Sequence, residues 1–183
     1  MELVKNIKES KLVKKIFYAL IGTIILAVSS KLKIPFYPVP MTMQTFVILF
    51  IGVTFGWRLG VAIVALYLFE GLVGLPVFSG TPEKGIGFVY FTGPTMGYLI
   101  GFLVAVFFSG FFKYDNNFFK NFLKLTFSIC FVYLIGMLWL GLLIGWDKPI
   151  FKLGAEPFLL AELFKITLVT LIISKIKFLK SLI

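Results

Sequence analysis

The sequence contains no histidine and a single cysteine, Cys130, among 183 residues. The first absence removes the commonest general base and metal ligand. The second leaves no disulfide framework and no cysteine-based metal site. Acidic residues are scarce as well, with eight Asp and Glu against 18 Lys and Arg, for a net charge of +10. No G-x-x-x-x-G-K-[ST] phosphate loop occurs, so the chain cannot hydrolyse ATP by that route. Nor is there a Ser–His or Cys–His pairing for nucleophilic catalysis, or a cluster of metal ligands. These gaps point to a binding protein rather than an enzyme, with no catalytic residues, cofactor or metal. Excess basic charge can mark nucleic-acid binding, but that needs a basic face on a soluble fold. Here the lysines cluster between apolar runs, so nucleic acid is not expected as a partner and the lipid bilayer is.

What the chain has in abundance is hydrocarbon. Sixty per cent of its residues are hydrophobic, 23 are phenylalanine, and the mean hydropathy is +1.02. Soluble domains need far less apolar surface, whereas each membrane-spanning helix needs roughly 20 mostly apolar residues. The pattern predicts an all-α integral membrane protein, one domain over residues 1–183, with six transmembrane helices in a bundle. The spans fall at about 16–30, 43–56, 59–74, 94–112, 121–145 and 157–174. A signal peptide ending at Ala27-Val28-Ser29 is the alternative for the first run. Five further spans and the long basic arm (Lys5, Lys8, Lys11, Lys14, Lys15) weigh against it. With the N-terminus inside, twelve basic residues flank the inner ends of the spans and five (Lys31, Lys33, Lys84, Lys148, Lys152) the outer ends. The positive-inside rule then puts both termini in the cytoplasm of a multi-pass cell-membrane protein. The three long loops, 31–42, 75–92 and 146–156, emerge on the outer face.

Three ionisable residues fall inside spans, where charge is expensive and marks function by default: Glu70, Glu162 and Lys165. Glu162 and Lys165 are three apart on the last helix and share a face. They form either a mutually neutralised pair or a pair of ligand contacts. Lys165 lies about 12 Å along the helix from Pro157, too deep for easy snorkelling. Glu70, near the outer end of its span, can instead reach water or cap a loop. The stretch Leu75–Phe102 joins a polar, aromatic loop to a helix opened by Pro94 and striped with Gly93, Gly97, Gly101, Ala105 and Ser109. Such a stripe serves close helix packing or contact with another subunit. Ala19, Thr23 and Ala27 on the first helix repeat the pattern. Gln44 and the tyrosines are candidates for polar groups of a ligand. Phe36, Tyr37, Phe78, Tyr90, Phe91 and Trp139 are candidates to wall an apolar ring.

Five motifs in fixed order resemble the BioY family, the biotin-binding substrate (S) components of energy-coupling factor (ECF) transporters. They are Lys33-Ile-Pro-Phe with Pro38-Val-Pro-Met-Thr-Met-Gln44-Thr, Gly71-Leu-Val-Gly-Leu-Pro-Val-Phe-Ser-Gly80, Gly93-Pro-Thr-Met-Gly-Tyr-Leu-Ile-Gly-Phe102, Tyr133-x-x-Gly-x-x-Trp-Leu140, and Pro157-Phe with Glu162-Leu-Phe-Lys165. The resemblance implies a six-helix S component of a vitamin-uptake transporter that captures biotin under the outer loops. Its substrate contacts would come from Gln44, Phe78, Tyr90, Gly93, Gly97, Tyr98, Glu162 and Lys165. Docking onto a transmembrane coupling subunit, served by a pair of ATPases, would use Ala19, Thr23 and Ala27. The family usually carries aspartate in place of Glu162 and glycine in place of Met96. The alternatives are an S component for another small carboxylated vitamin, a purely structural partner subunit and, disfavoured by the absences above, a membrane enzyme.

Overall fold

A computed structural model describes residues 2–34 and 37–180, with side chains over 12–33 and 37–173. Phe36 and the side chains of Lys5, Lys8, Lys11, Lys175, Lys177 and Lys180 lie outside the described residues. The chain is almost wholly helical. Helix α1 (Glu2–Lys31) leads to a two-stranded antiparallel ribbon, β1 (Lys33–Ile34) and β2 (Met41–Thr42), built from the proline-rich stretch that cannot be helical. There follow α2 (Gln44–Leu72), the short α3 (Phe88–Phe91), α4 (Met96–Phe111), α5 (Phe118–Ile144), the short α6 (Ile150–Gly154), a 3-10 turn (Glu156–Phe158) and α7 (Leu159–Lys180).

Helix α2 is two helices. Gly56 breaks it with φ 75° and ψ 171°, a conformation that only glycine adopts freely. The chain reverses there. Gln44 hydrogen-bonds to Tyr67 across 23 positions, a separation of about 34 Å along one straight helix. Residues 44–55 and 57–72 therefore form an antiparallel hairpin, and the membrane bundle has six helices: α1, the two arms of α2, α4, α5 and α7. Each end has a local cause. Asn117 caps α5 by accepting the Lys120 N–H at 2.9 Å. The second arm of α2 ends where the Leu75 N–H reaches back to the Glu70 carbonyl at 3.0 Å. Helix α4 begins at Met96 rather than at Pro94, because Gly93–Thr95 form a turn closed by Met96 N–H on the Gly93 carbonyl. The last helix likewise starts two residues beyond Pro157, which sits in the 3-10 turn.

Lipid tails are as apolar as leucine, so helices in a bilayer associate through close packing rather than by escaping water. The glycine stripe of α4 does this work inside the bundle. A Cβ on Gly97 would overlap Trp139 and the Ile135 carbonyl, and one on Gly101 would press on Val132 of α5. On the other side of α4, Ser109 fills the space left by Gly52 of α2, and Gly110 lies against the backbone of Gly56 and Trp57. The core runs from Leu26 of α1 through Ile48, Ile63 and Val64 of α2 and Val106 of α4 to Leu125 and Val132 of α5 and Val169 of α7.

Among the described residues, three helices are long and apolar enough by themselves to cross a membrane, α2 counting as one, while α4 is shorter. The 44–55 arm extends only about 18 Å and α4 about 24 Å, against a hydrocarbon core of about 30 Å. Both fall short at their outer ends. There the ribbon and the 73–95 loop fill the missing depth, as non-helical backbone can when protein surrounds it. That is where the site lies.

Gly101→Val is expected to wedge α4 from α5 and cost about 1–3 kcal/mol. This would appear as a lower thermal midpoint in detergent, whereas Leu134→Ala on the lipid face leaves the midpoint close to wild type. An unchanged midpoint in Gly101→Val would rule out the tight α4–α5 contact.

Candidate functional site

Under the ribbon and the 73–95 loop lies a partly open cavity of about 50 Å³. The first turn of α2 supplies Gln44 and Thr45, the loop supplies Ser79 and Tyr90, and α4 supplies Tyr98, Leu99 and Phe102. Val132 and Tyr133 come from α5, Phe158 from the 3-10 turn, and Glu162 and Lys165 from α7. Most of the wall's accessible surface is apolar, with Thr42, Thr45, Glu162 and Lys165 joined at one end and Ser79 on the loop side, the mixed composition of a small-molecule site. A larger open groove of about 760 Å³ runs between α5 and α7, but its lining is nearly all hydrocarbon and it faces lipid.

At the polar end, Lys165 and Glu162 are 3% and 5% exposed, so neither charge is hydrated. Burial of that kind is tolerable only when a charge is paired and hydrogen-bonded. The Lys165 ammonium donates to Glu162 Oε1 at 2.7 Å, to the Thr42 carbonyl at 2.6 Å and to Thr45 Oγ1 at 3.0 Å. All three of its protons are thus used by the protein. Thr45 accepts from Lys165 and passes its own proton to Glu162 Oε1 at 2.8 Å. Glu162 Oε2 is left buried with no hydrogen-bond partner. Ser79 Oγ, on the loop side of the cavity, is in the same condition. A stranded buried polar atom costs about 1–3 kcal/mol, so the two that share this cavity are candidate ligand contacts. A ligand with an N–H for Glu162 and a polar group for Ser79 would complement them.

The rest of the wall is held by hydrogen bonds facing away from the cavity. Gln44 Nε2 donates to the Tyr67 hydroxyl at 2.8 Å, and Tyr67 donates to the Val77 carbonyl at 3.0 Å. Tyr90 donates to the Ser79 carbonyl at 2.8 Å, and Tyr98 to the Gly154 carbonyl at 2.8 Å. Burial pushes the Tyr90 phenol above its ordinary range, so it stays a donor at neutral pH.

Five of the eight expected substrate contacts line the cavity: Gln44, Tyr90, Tyr98, Glu162 and Lys165. Phe78 lies one layer behind, stacked on Tyr90 with ring centres 4.8 Å apart and seated on Gly71. Gly93 and Gly97 serve the α4–α5 contact, the Gly93 carbonyl accepting from Trp139 Nε1 at 2.9 Å. Tyr37 is exposed, and neither it nor the half-buried Glu70 lines the cavity. On α1, Thr23 is buried, and Ala19 and Ala27 are half-buried against the core. Sequence reasoning missed Thr45 and Ser79, and named Tyr133 only among the tyrosines and in a motif. A hydroxyl one residue after Gln44, and another in the Phe78-Ser79-Gly80 turn, were the available signals.

The cavity is tight. Sites for drug-sized ligands measure about 300 Å³ or more, so loading this one requires a wall to move. The helical walls are fixed by glycine contacts, which leaves the ribbon and the 73–95 loop.

The sequence model of the BioY family matches residues 3–181. A probable biotin transporter BioY of Pyrococcus horikoshii is 30% identical over 151 residues, covering 82% of this chain and 88% of the relative. One of Rickettsia prowazekii is 33% identical over 164 residues, 87% and 81% respectively. The biotin transporter BioY of Thermotoga maritima is 30% identical over 165 residues, 90% and 96%. Among solved structures, the S-component for biotin from an ECF-type ABC transporter superposes with a TM-score of 0.78 at 27% identity. It covers 92% of this chain and 93% of that one.

Replacing only one member of the buried ion pair, by Glu162→Leu or Lys165→Met, is expected to destabilise the protein by about 3–5 kcal/mol, and the double replacement by less than either. Thermal unfolding in detergent measures this. A double variant as damaged as the sum of the two would refute mutual neutralisation.

Proposed function

The chain belongs to the BioY family, and from that premise we propose that it is the biotin-capturing S component of an ECF-type uptake transporter. Its cavity is the capture site, roofed on the outer face by the ribbon and the 73–95 loop. The single observation that carries the reading is that Glu162 Oε2 and Ser79 Oγ are both stranded in the wall of one cavity. Biotin has a ureido ring with two N–H donors and a carbonyl, an apolar bicycle, and a chain ending in a carboxylate. One ureido N–H satisfies Glu162, a biotin acceptor takes the Ser79 hydroxyl proton, and the bicycle lies among Tyr90, Tyr98, Phe102, Tyr133 and Phe158.

Lys165 has a positioning role in this reading. With its protons committed to Thr42, Thr45 and Glu162, it pairs with Glu162 and aims it rather than binding a carboxylate itself. Gln44 and Phe78 act one step back, by holding Tyr67 and Tyr90. The protein catalyses nothing. The energy for transport comes from a transmembrane coupling subunit with its ATPase pair, which the half-buried Ala19 and Ala27 on α1 are proposed to meet; Thr23 is buried inside the bundle and does not reach it.

Purified protein titrated with biotin by calorimetry should bind it, and mass spectrometry should find biotin carried through purification. Ser79→Ala and Glu162→Gln should each weaken binding by about 5- to 150-fold, the equivalent of 1–3 kcal/mol. Wild-type protein that neither binds nor carries biotin would overturn the assignment. Undiminished affinity in both variants would overturn the site.

A further inference from the structure

The two outermost side chains of α1 are bound to the loop that forms one wall of the cavity. Lys31 directs all three ammonium protons at it: to the Phe78 carbonyl at 2.8 Å, the Thr81 carbonyl at 3.1 Å and Thr81 Oγ1 at 2.9 Å. Ser30 Oγ lies 2.7 Å from the Val77 carbonyl and 2.7 Å from the Ala27 carbonyl of its own helix. A hydroxyl has one proton, so it serves the loop or the helix, and its position between them makes the bond to the loop easy to make and to lose. The Val77 carbonyl also accepts from Tyr67, which in turn accepts from Gln44 on the cavity wall. An unbroken polar chain thus runs from the cavity, through Tyr67 and Val77, to α1. Between Val77 and Thr81 sits Ser79, with its stranded hydroxyl facing the candidate ligand.

We infer that Ser30 and Lys31 are positioning residues that hold the 77–81 segment closed over the site, so that the dwell time of the ligand is set from the outer end of α1. This rests on the reading of the cavity as the biotin site. Residues 73–87 contain no helix or strand, so the loop depends on the α1 bonds together with those of Tyr67 to Val77 and Tyr90 to Ser79. Its aromatic anchor, Phe78, fixes the middle of the segment, whereas the Lys31 and Ser30 bonds grip both ends. Helix α1 lies at the edge of the bundle with a row of large apolar residues, Ile16, Leu20, Ile24 and Val28, turned outward. A shift of this helix by a few ångströms, as when a partner engages it, breaks the α1 bonds to Val77, Phe78 and Thr81 together and loosens the wall, leaving Tyr67, Tyr90 and the Phe78 packing to hold it.

Full-length protein in lipid nanodiscs tests the idea in two ways. Release of labelled biotin into excess unlabelled biotin should be about tenfold faster in Ser30→Ala/Lys31→Met, with the association rate within about twofold of wild type, as expected when contacts act on dissociation. Lys31→Arg, which keeps the charge and the donors, should restore most of the dwell time. Amide hydrogen exchange without ligand should rise at 77–81 and stay unchanged at 97–111 and 125–140. Unchanged release together with unchanged exchange in the double variant overturns the inference, and so does exchange that rises throughout the bundle. The milder Ser30→Ala alone carries the same test should the double variant misfold. Wild-type protein that binds no biotin refutes the reading of the site, while the exchange experiment still decides whether α1 holds the loop.

Discussion

A lysine and a glutamate cannot lie in the middle of a hydrocarbon layer unless each neutralises the other and both find hydrogen bonds. Much of the outer half of this molecule follows from that requirement. Lys165 needs three acceptors, and α7 offers only Glu162. The other two come from Thr42 at the end of the ribbon and Thr45 in the first turn of α2. The pair therefore fixes where α2 begins, pins the ribbon against α7, and holds Glu162 with one oxygen satisfied and one left over. The site is the residue of that accounting, a carboxylate oxygen that the fold supplies with no partner of its own.

The bundle divides the labour between two kinds of contact. Below the site, helix meets helix through glycine, at Gly52, Gly97, Gly101 and Gly110, so closely that a single methyl group would collide, and Gly136 seats the Tyr98 ring. Above it, the wall consists of irregular chain joined by hydrogen bonds and by one cluster of rings around Phe78. Contacts of the first kind are nearly all or none, because a packed interface has no partial solution. Those of the second kind can be exchanged for water one at a time. A binding protein in a membrane needs both, a frame that holds chemical groups in register and a cover that yields.

Much of this was legible in the residues themselves. Charge inside an apolar run exposed Glu162 and Lys165, and Gly56-Trp57-Arg58 between two apolar stretches marked the hairpin that continuous helical geometry would otherwise hide. Three closely spaced prolines, at 35, 38 and 40, ruled out a continuous helix over 31–42. Other features left a weaker trace. Thr45 and Ser79 are small and neutral, and nothing in their neighbours says that one hydroxyl would be fully bonded and the other stranded. Tyr133 faces the cavity because Gly101 and Gly97 draw α5 close in one particular rotation, which is a property of two helices and not of one. Phe78, Gly93 and Gly97 stood out correctly as special. Their constraint is packing, since an aromatic ring needs Gly71 as its seat and Trp139 needs a carbonyl for its N–H. A residue with a strict steric requirement looks the same in sequence whether it meets a ligand or a neighbour.

The 2.7 Å ion pair also has an electrical consequence. A lone lysine carried across a membrane potential exchanges about 2.3 kcal/mol with the field for every 100 mV. Glu162 and Lys165 together carry no net charge, and as a short dipole they exchange almost nothing. The empty site can thus change its depth or tilt without drawing on the membrane voltage. Any voltage dependence of loading would come from the charge of the ligand itself.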